Sequence, residues 1–427
     1  MTFRKADWIY NTNVYEVNLR QYTAAGTINA FAQELPRLKD MGIQTLWFMP
    51  ITPISEKNRK GSMGSYYACS DYTAVAAEFG TLADFKKLVI KAHEMGFKVI
   101  LDWVANHTGW DHRWTTEHPD YYKWDHETND FKKASGMDDI IELNFQHPNL
   151  REAMIEAMRF WITECDIDGF RCDLAFWVEL NFWIEARASL EKTKTIFWLA
   201  ESDSIENPAY YDAFDACYTW QWMRKIEDFY KGNSNIPQLI ELLRQYDGIG
   251  GSDAIKLWFT TNHDENSWNG TEYEKYGDAA KALAVFSCTW NGIPLVYSGQ
   301  ELPNKKRLEF FEKDVIQWNG KYELHGFYKA LLDLKYNHPA LRTADNAVTT
   351  YLIETSHSNN VLAFLRRNVE SEVLVLLNLS NEKVDCGIKD EKVWGTFTEL
   401  FKDIEIDFPE DIVISLKPWD YRVYVKW

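Results

Sequence analysis

Residues Lys98 to His107 read KVILDWVANH. The run is apolar, too short for a helix, and ends in the polar residues Asp102, Asn106 and His107. A buried strand that stops in polar side chains is the form of one strand of a parallel barrel, where chemistry gathers at strand carboxyl ends. Upstream, Leu82 to Met95 repeats its apolar residues at helical spacing, and downstream Asn149 to Glu164 does the same. The next strand, DGFRCD at Asp168 to Asp173, again ends in an acid.

The same alternation runs through most of the chain. Strands are predicted at Val14 to Leu19, Gln44 to Met49, Lys98 to Trp103, Asp168 to Asp173, Ile196 to Ala200, Ala216 to Thr219, Lys256 to Thr261 and Ile293 to Ser298. Further helices are predicted at Phe182 to Glu191, Ile236 to Tyr246, Tyr276 to Trp290 and Glu323 to Asn337. Eight strands with intervening helices define an α/β fold, a closed (β/α)8 TIM barrel, assigned to residues 1–106 and 148–338. The stretch 107–147 is rich in Trp, His and Asp, lacks periodicity, and reads as a short insertion after the third strand, on the catalytic face. From about Pro339 the pattern turns to alternation, as in VLAFLRR and EVLVLLNLS, so 339–427 is predicted as a C-terminal antiparallel β-sandwich.

Composition narrows the function. The 46 basic and 64 acidic residues leave a net charge of −18, which repels phosphate backbones and anionic lipid, so neither a nucleic-acid nor a membrane partner is expected. Aromatic residues reach 15% with 19 Trp, well suited to stacking on sugar faces, although most belong to the core. Six cysteines without paired short spacing suggest neither a zinc site nor a disulfide framework, and MTFRKADWIY lacks the apolar core of a signal peptide. A cytoplasmic location is expected.

The strand ends carry the chemistry. VILDWVANH, DGFRCD, FWLAES and LWFTTNHDEN bring Asp102, Asn106, His107, Arg171, Asp173, Glu201, His263 and Asp264 to one rim. Acids crowded into one pocket repel each other, so one holds its proton while another stays ionised. Glycoside cleavage needs that division: one carboxylic acid protonates the leaving oxygen, the other carboxylate meets the developing cation, and a separation of roughly 5 Å makes the reaction retaining. Arg171, two residues before Asp173 on one strand face, suits Asp173 to be the nucleophile. Glu201 ends an apolar strand, where desolvation raises its pKa and suits it to be the acid/base.

DWVANH, GFRCD, LAES and TNHDEN, in this order, resemble the four sequence regions of the α-amylase superfamily, glycoside hydrolase family 13. The resemblance covers the whole chain and implies a barrel, a domain B after strand three and a C-terminal β-sandwich. It implies Asp173 as the nucleophile, Glu201 as general acid and base, and Asp264 as the residue that holds ring hydroxyls. It also implies that His107, His263, Arg171 and Tyr67 of GSYYACSDY line the cleaved sugar, and that Asp102 braces the arginine. In the family the asparagine matching Asn106 ligates a structural calcium, and Glu142 of IIELN stands where an acidic ligand often lies. No cofactor is expected to be required, and a structural Ca2+ is left open.

Two departures limit the substrate. Phe176 and Trp177 replace a Lys-His pair that many endo-acting relatives carry after the nucleophile, which leans toward maltooligosaccharides or an altered acceptor site. The insertion is also short. Trp103, Trp110, Trp114, Trp124 and Trp177 are candidate sugar platforms, with Trp103 and Trp177 placed in the substrate site. The expected function is a retaining hydrolase of α-1,4-glucosidic bonds in starch-derived glucans or maltooligosaccharides. An α-glucan transglycosylase or α-glucosidase on the same fold, or a non-catalytic sugar-binding relative, remains as the alternative. A monomer is expected, since no extra domain precedes Val14.

Overall fold

A computed structural model describes residues 3–369, 371–388, 390–409 and 411–427. Met1 and Thr2, part of the amino-terminal stretch read above for a leader, lie outside the described residues.

Eight strands close a parallel barrel: β1 Val14–Val17, β2 Thr45–Phe48, β3 Lys98–Trp103, β4 Gly169–Cys172, β5 Phe197–Asp203, β6 Ala216–Tyr218, β7 Ile255–Trp258 and β8 Ile293–Tyr297. Around the ring they run β1, β8, β7, β6, β5, β4, β3, β2 and back to β1, so β1 stands diametrically across from β5. Every predicted strand is present, shorter or longer by a few residues. The alternation of a strand divides the side chains between two cores. Ile100 packs inside the barrel with Trp47, Leu199 and Leu257, while Val99, Leu101 and Trp103 face the helices.

The surrounding helices are α1 Leu35–Asp40, α2 Leu82–Glu94, α3 Pro148–Cys165, α4 Leu180–Leu190, α5 Trp220–Tyr230, α6 Ile236–Gly248, α7 Ala280–Thr289 and α8 His325–Asn337. Three differ from the sequence reading, α1 among them, since no predicted helix covers Leu35–Asp40. The single helix predicted over Tyr276 to Trp290 is broken: a short helix ends at Tyr276, Gly277 takes φ +48°, and α7 starts afresh at Ala280. Any Cβ at Gly277 would meet the Tyr230 hydroxyl at 2.1 Å, so the turn needs glycine on steric as well as conformational grounds. Helix α5 was not foreseen, because its buried positions, Trp222, Met223 and Ile226, are few and interleaved with charge.

Between β3 and α3 the insertion forms two small antiparallel pairs, His107–Gly109 with Ile140–Glu142 and Trp124–Asp125 with Asp130–Phe131. The loop after β2 packs on it through Gly109 N to Cys69 O (2.8 Å) and Glu56 N to the Asp111 carboxylate (2.8 Å). The C-terminal strands are β9 Val348–Leu352, β10 Val361–Asn368, β11 Ser371–Asn378, β12 Val384–Ile388, β13 Gly395–Glu399, β14 Ile404–Phe408, β15 Ile412–Leu416 and β16 Tyr421–Lys426. They make a six-stranded antiparallel sheet, β9-β10-β11-β16-β13-β14, and a pair, β12-β15, sharing an apolar core around Leu374, Cys386, Phe397 and Leu416. The outer face of the large sheet seats Phe364 against Trp290, just past α7. All six cysteines are buried free thiols. Among the described residues no helix is long and apolar enough to cross a membrane.

Candidate active site

Asp173 directly follows β4, where its backbone N–H bonds the Trp103 carbonyl (2.9 Å) and fixes the end of the strand beside β3. Register pairs Asp102 with Arg171 across β3 and β4, so both side chains point into the barrel mouth. The buried guanidinium of Arg171 then becomes the hub of the site. Its Nη1 donates to Asp102 Oδ1 (2.8 Å) and Asp173 Oδ1 (2.9 Å), and its Nε donates to the Tyr218 hydroxyl (3.2 Å). Nη2 lies 2.9 Å from Glu201 Oε2 in an ion pair whose geometry is not that of a hydrogen bond.

Glu201, on β5, also receives the Leu174 backbone N–H at 2.7 Å. That N–H is aimed by an unusual conformation: Leu174 sits in the left-handed region at φ +38°, immediately after Asp173. Non-glycine residues adopt this geometry only where the surroundings over-determine it, and such strain gathers at functional sites. One guanidinium and one strained peptide therefore hold the two carboxylates against each other.

Burial penalises charge here more than Arg171 relieves it. Desolvation, opposed by Arg171 and reinforced by Asp102 and Asp264, pushes Asp173 up to about 7. Desolvation, opposed by Arg171 and reinforced by Asp173 and Asp264, does the same for Glu201, also to about 7. Desolvation likewise raises Asp102, to about 6. The group holds fewer negative charges at neutral pH than it has carboxyls, which is the condition for one acid and one base side by side.

The histidines differ. His107 is buried, its Nδ1 is 3.3 Å from Asn106 Oδ1, and burial lowers its pKa to about 4, leaving a neutral ring. Its Nε2 is buried and makes no well-aligned hydrogen bond among the described residues, while the residue lines the cleft. For His263 burial acts downward, but Asp264 and then Glu16 outweigh it and raise the pKa to about 9. His263 Nδ1 meets Glu16 Oε1, while Nε2 lies 2.7 Å from the Tyr67 hydroxyl and 3.3 Å from Asp264 Oδ2. Tyr67 donates to Asp102 Oδ2 (3.1 Å), and its ring lies parallel to those of His263 (5.4 Å) and Phe310 (6.2 Å), which are themselves 6.3 Å apart.

A folded-state value above the ordinary one means that the His263 contribution to stability is complete below about 6.5 and is lost as pH rises through about 9. Glu16→Gln removes one of the two charges behind it. Thermal melts of this variant from pH 6 to 10 are expected to lose stability less steeply between those values than the wild type; parallel curves would refute the coupling.

Asp173, Glu201, Asp264, Tyr67 and His107 line one cleft of about 520 Å3. A larger surface groove, of about 1,000 Å3, runs past Glu156 and Lys192 and carries no comparable cluster. Residues not singled out from sequence complete the cleft: Trp268, 52% exposed, packs on Phe310 at 5.3 Å, and Phe311 and Lys60 join them. Glu16 and Tyr218 were missed as well. Glu16 had a signal, being an acid inside the apolar strand VYEV, but its partner is 247 residues away.

The expectation of tryptophan platforms needs correction. Trp103 is no sugar platform: 2% exposed, it faces the helices between Tyr72 (5.1 Å) and Phe170 (5.4 Å), because its neighbour Asp102 takes the inward position on the strand. Trp110 and Trp114 are buried too, while Trp124 is exposed away from the cleft residues. Trp177 is half-buried next to exposed Phe176, and its carbonyl accepts from Asn106 Nδ2 at 3.2 Å.

The residues named for the calcium ion left open above are engaged elsewhere. Asn106 is spent on Trp177 and His107, and Glu142 is held by Lys132 (3.0 Å) and Lys123 (3.5 Å), ammonium groups standing where a cation would need oxygen ligands. Among the described residues no group of three or more His, Cys, Asp or Glu is placed to hold a metal. These residues do not fit a calcium ion.

The family model for the α-amylase catalytic domain matches residues 8–123 and 118–309. Among characterised relatives, α-amylase MalA of Haloarcula japonica is 26% identical over 400 residues, covering 89% of this chain and 57% of the relative. The chain thus spans little more than half the length of that protein. α-Amylase 3 of Dictyoglomus thermophilum is 24% identical over 475 residues, covering 88% of this chain and 91% of the relative. Of solved structures, a maltogenic α-amylase, AmyB, from Thermotoga neapolitana superposes with a TM-score of 0.88 at 29% identity, over 97% of this chain and 98% of that one. An α-amylase from Lactobacillus plantarum gives 0.87, also at 29%, over 98% and 99%.

Proposed function

The chain belongs to the α-amylase catalytic-domain family, and from that premise we propose that it is a retaining glycoside hydrolase acting on α-1,4-linked glucans or maltooligosaccharides. The observation that carries this reading is the shared guanidinium: Arg171 contacts Asp173 and Glu201 at 2.9 Å each, which sets the two carboxyls as neighbours in one cleft, the arrangement a double displacement by a paired nucleophile and acid needs.

In this reading Asp173, kept in place by Arg171, attacks the anomeric carbon as Glu201 protonates the departing oxygen. A β-glucosyl ester forms on Asp173. Glu201, now ionised, takes a proton from water, which attacks the same carbon and restores the α configuration with release of Asp173. Neutral His107 and Asp264 line the cleft beside the ring hydroxyls, cationic His263 holds Asp264 and the Tyr67 hydroxyl in place, and Tyr67 supplies an apolar floor. Asp102 acts through Arg171 and Tyr67 as a positioning residue.

A second reading is transglycosylation, favoured by the aromatic pair Phe176, exposed, and Trp177, half-buried, three and four residues beyond the nucleophile, rings of the kind on which an acceptor sugar stacks. Time-resolved product analysis on soluble starch, maltoheptaose and maltose, with the anomer read by NMR, separates the readings. Products of α configuration and only shorter length are expected. Early products longer than the substrate would favour transfer, and first-formed β products would overturn retention.

A further inference from the structure

Resting on the hydrolase reading, we infer that the cleft is closed on the side of the retained sugar, so that the enzyme works inward from the non-reducing end of a glucan and releases short pieces. The topology sets the direction. The acid that protonates the leaving oxygen, Glu201, stands on β5, so the departing chain lies toward that side and the retained sugars lie toward β1, opposite in the ring. Over β1 the loops following its two neighbours, β2 and β8, meet and form a wall.

The seam is built in detail. Met63 N donates to Phe311 O (3.1 Å), Ser62 N donates to Glu312 Oε1 (2.8 Å), and the Ser62 hydroxyl bonds Glu312 Oε2. The loops approach so closely that a Cβ on Gly61, at φ +63°, would meet Phe311 Cβ at 2.5 Å. Buried groups just past β1 hold both sides. Arg20 donates to Gly64 O (3.0 Å) and Met63 O (3.4 Å) of one loop and to Phe310 O (3.5 Å) of the other, and is neutralised by Glu78 at 2.8 Å. Gln21 Nε2 ties Glu309 O (2.8 Å) and Glu312 O (2.7 Å). The insertion completes the barrier through Lys60 and Asp139, paired at 2.7 Å on the cleft surface.

A fully buried arginine spent on backbone carbonyls of two loops marks a fixed structure rather than a loop contact of chance. The cleft of about 520 Å3 falls within the range of small-ligand pockets, roughly 300–1,000 Å3. Phe310, Phe311 and Trp268 stand at the closed end, where they give the terminal sugars apolar faces to stack on.

The test compares a maltoheptaoside carrying a chromophore at its reducing end with the same compound blocked at the non-reducing-end 4- and 6-hydroxyls. The wild type is expected to release glucose and maltose from the free compound and to act on the blocked one at least about tenfold more slowly, since a bulky end cannot pass the wall. The double variant Ser62→Gly, Glu312→Gly, which leaves the buried Arg20 and Gln21 contacts in place, should recover cleavage of the blocked compound and add longer products. Equal cleavage of both compounds by the wild type would overturn the closed cleft and leave the hydrolase reading standing. Cleavage of neither would overturn both.

Discussion

Asp173→Asn is expected to lower kcat on α-glucans by about four to six orders of magnitude, the scale on which loss of one member of a catalytic unit acts. The amide fills the same space beside Arg171 but cannot form the glucosyl ester. The fold should survive, because Arg171 keeps Asp102 and Glu201. The sign of the stability change follows from the raised carboxyl. Its folded-state value of about 7 means that the fold disfavours the ionised form, so stability is complete below the ordinary carboxyl range and declines as pH rises toward 7. At pH 8 the Asn variant should therefore melt no lower than the wild type, so lost rate is not lost structure. With Asp173→Ala, added azide has room at the anomeric carbon and should restore turnover, giving a β-linked glucosyl azide. Turnover by the Asn variant within tenfold of wild type would remove Asp173 from the role of nucleophile.

Glu201→Gln is the second large effect, about 10²- to 10⁴-fold on starch or maltoheptaose, the usual contribution of a positioned acid. The loss should shrink sharply on α-glucosyl fluoride, whose leaving group needs no proton. Its pH profile should change as well. In the wild type the acid must be protonated, so activity is expected to fall as pH rises through about 7, and in the Gln variant acting on the fluoride this alkaline limb should disappear. A limb that persisted unchanged would assign the proton to another group. An equal loss on fluoride and glucan would show Glu201 to act by charge or position alone.

The two variants divide the pair by chemistry, since both carboxyls share one guanidinium and one range of pKa. Neither environment alone distinguishes base from acid. Their neighbours do: Asp173 takes a true hydrogen bond from Arg171, while Glu201 takes the Leu174 N–H and a poorly aligned contact.

Much of this was legible in the chain. Eight apolar runs ending in polar residues specify a barrel whose rim carries Asp173, Glu201 and Asp264, because strand alternation and the position of strand ends are local properties. The rest was not local. Trp103 lies one residue from Asp102, and only the inward orientation of Asp102 sends it into the core. At Gly277 the space a side chain would need is taken by the Tyr230 hydroxyl, from a different helix.

The sequence by itself determined the fold class and the order of the strand ends, since each follows from period, length and residue type within one stretch, while the choice of Asp173, Glu201 and Asp264 among the polar residues of the rim came with the resemblance of four motifs. Only the tertiary structure decided how these groups behave. Asp264 and, far along the chain, Glu16 together charge His263; Lys123 and Lys132 pair with Glu142; and Arg20 bonds two loops to each other. Each effect depends on burial and on distances between segments that the linear chain leaves far apart, and electrostatics in a dry pocket is set by those distances rather than by sequence neighbours.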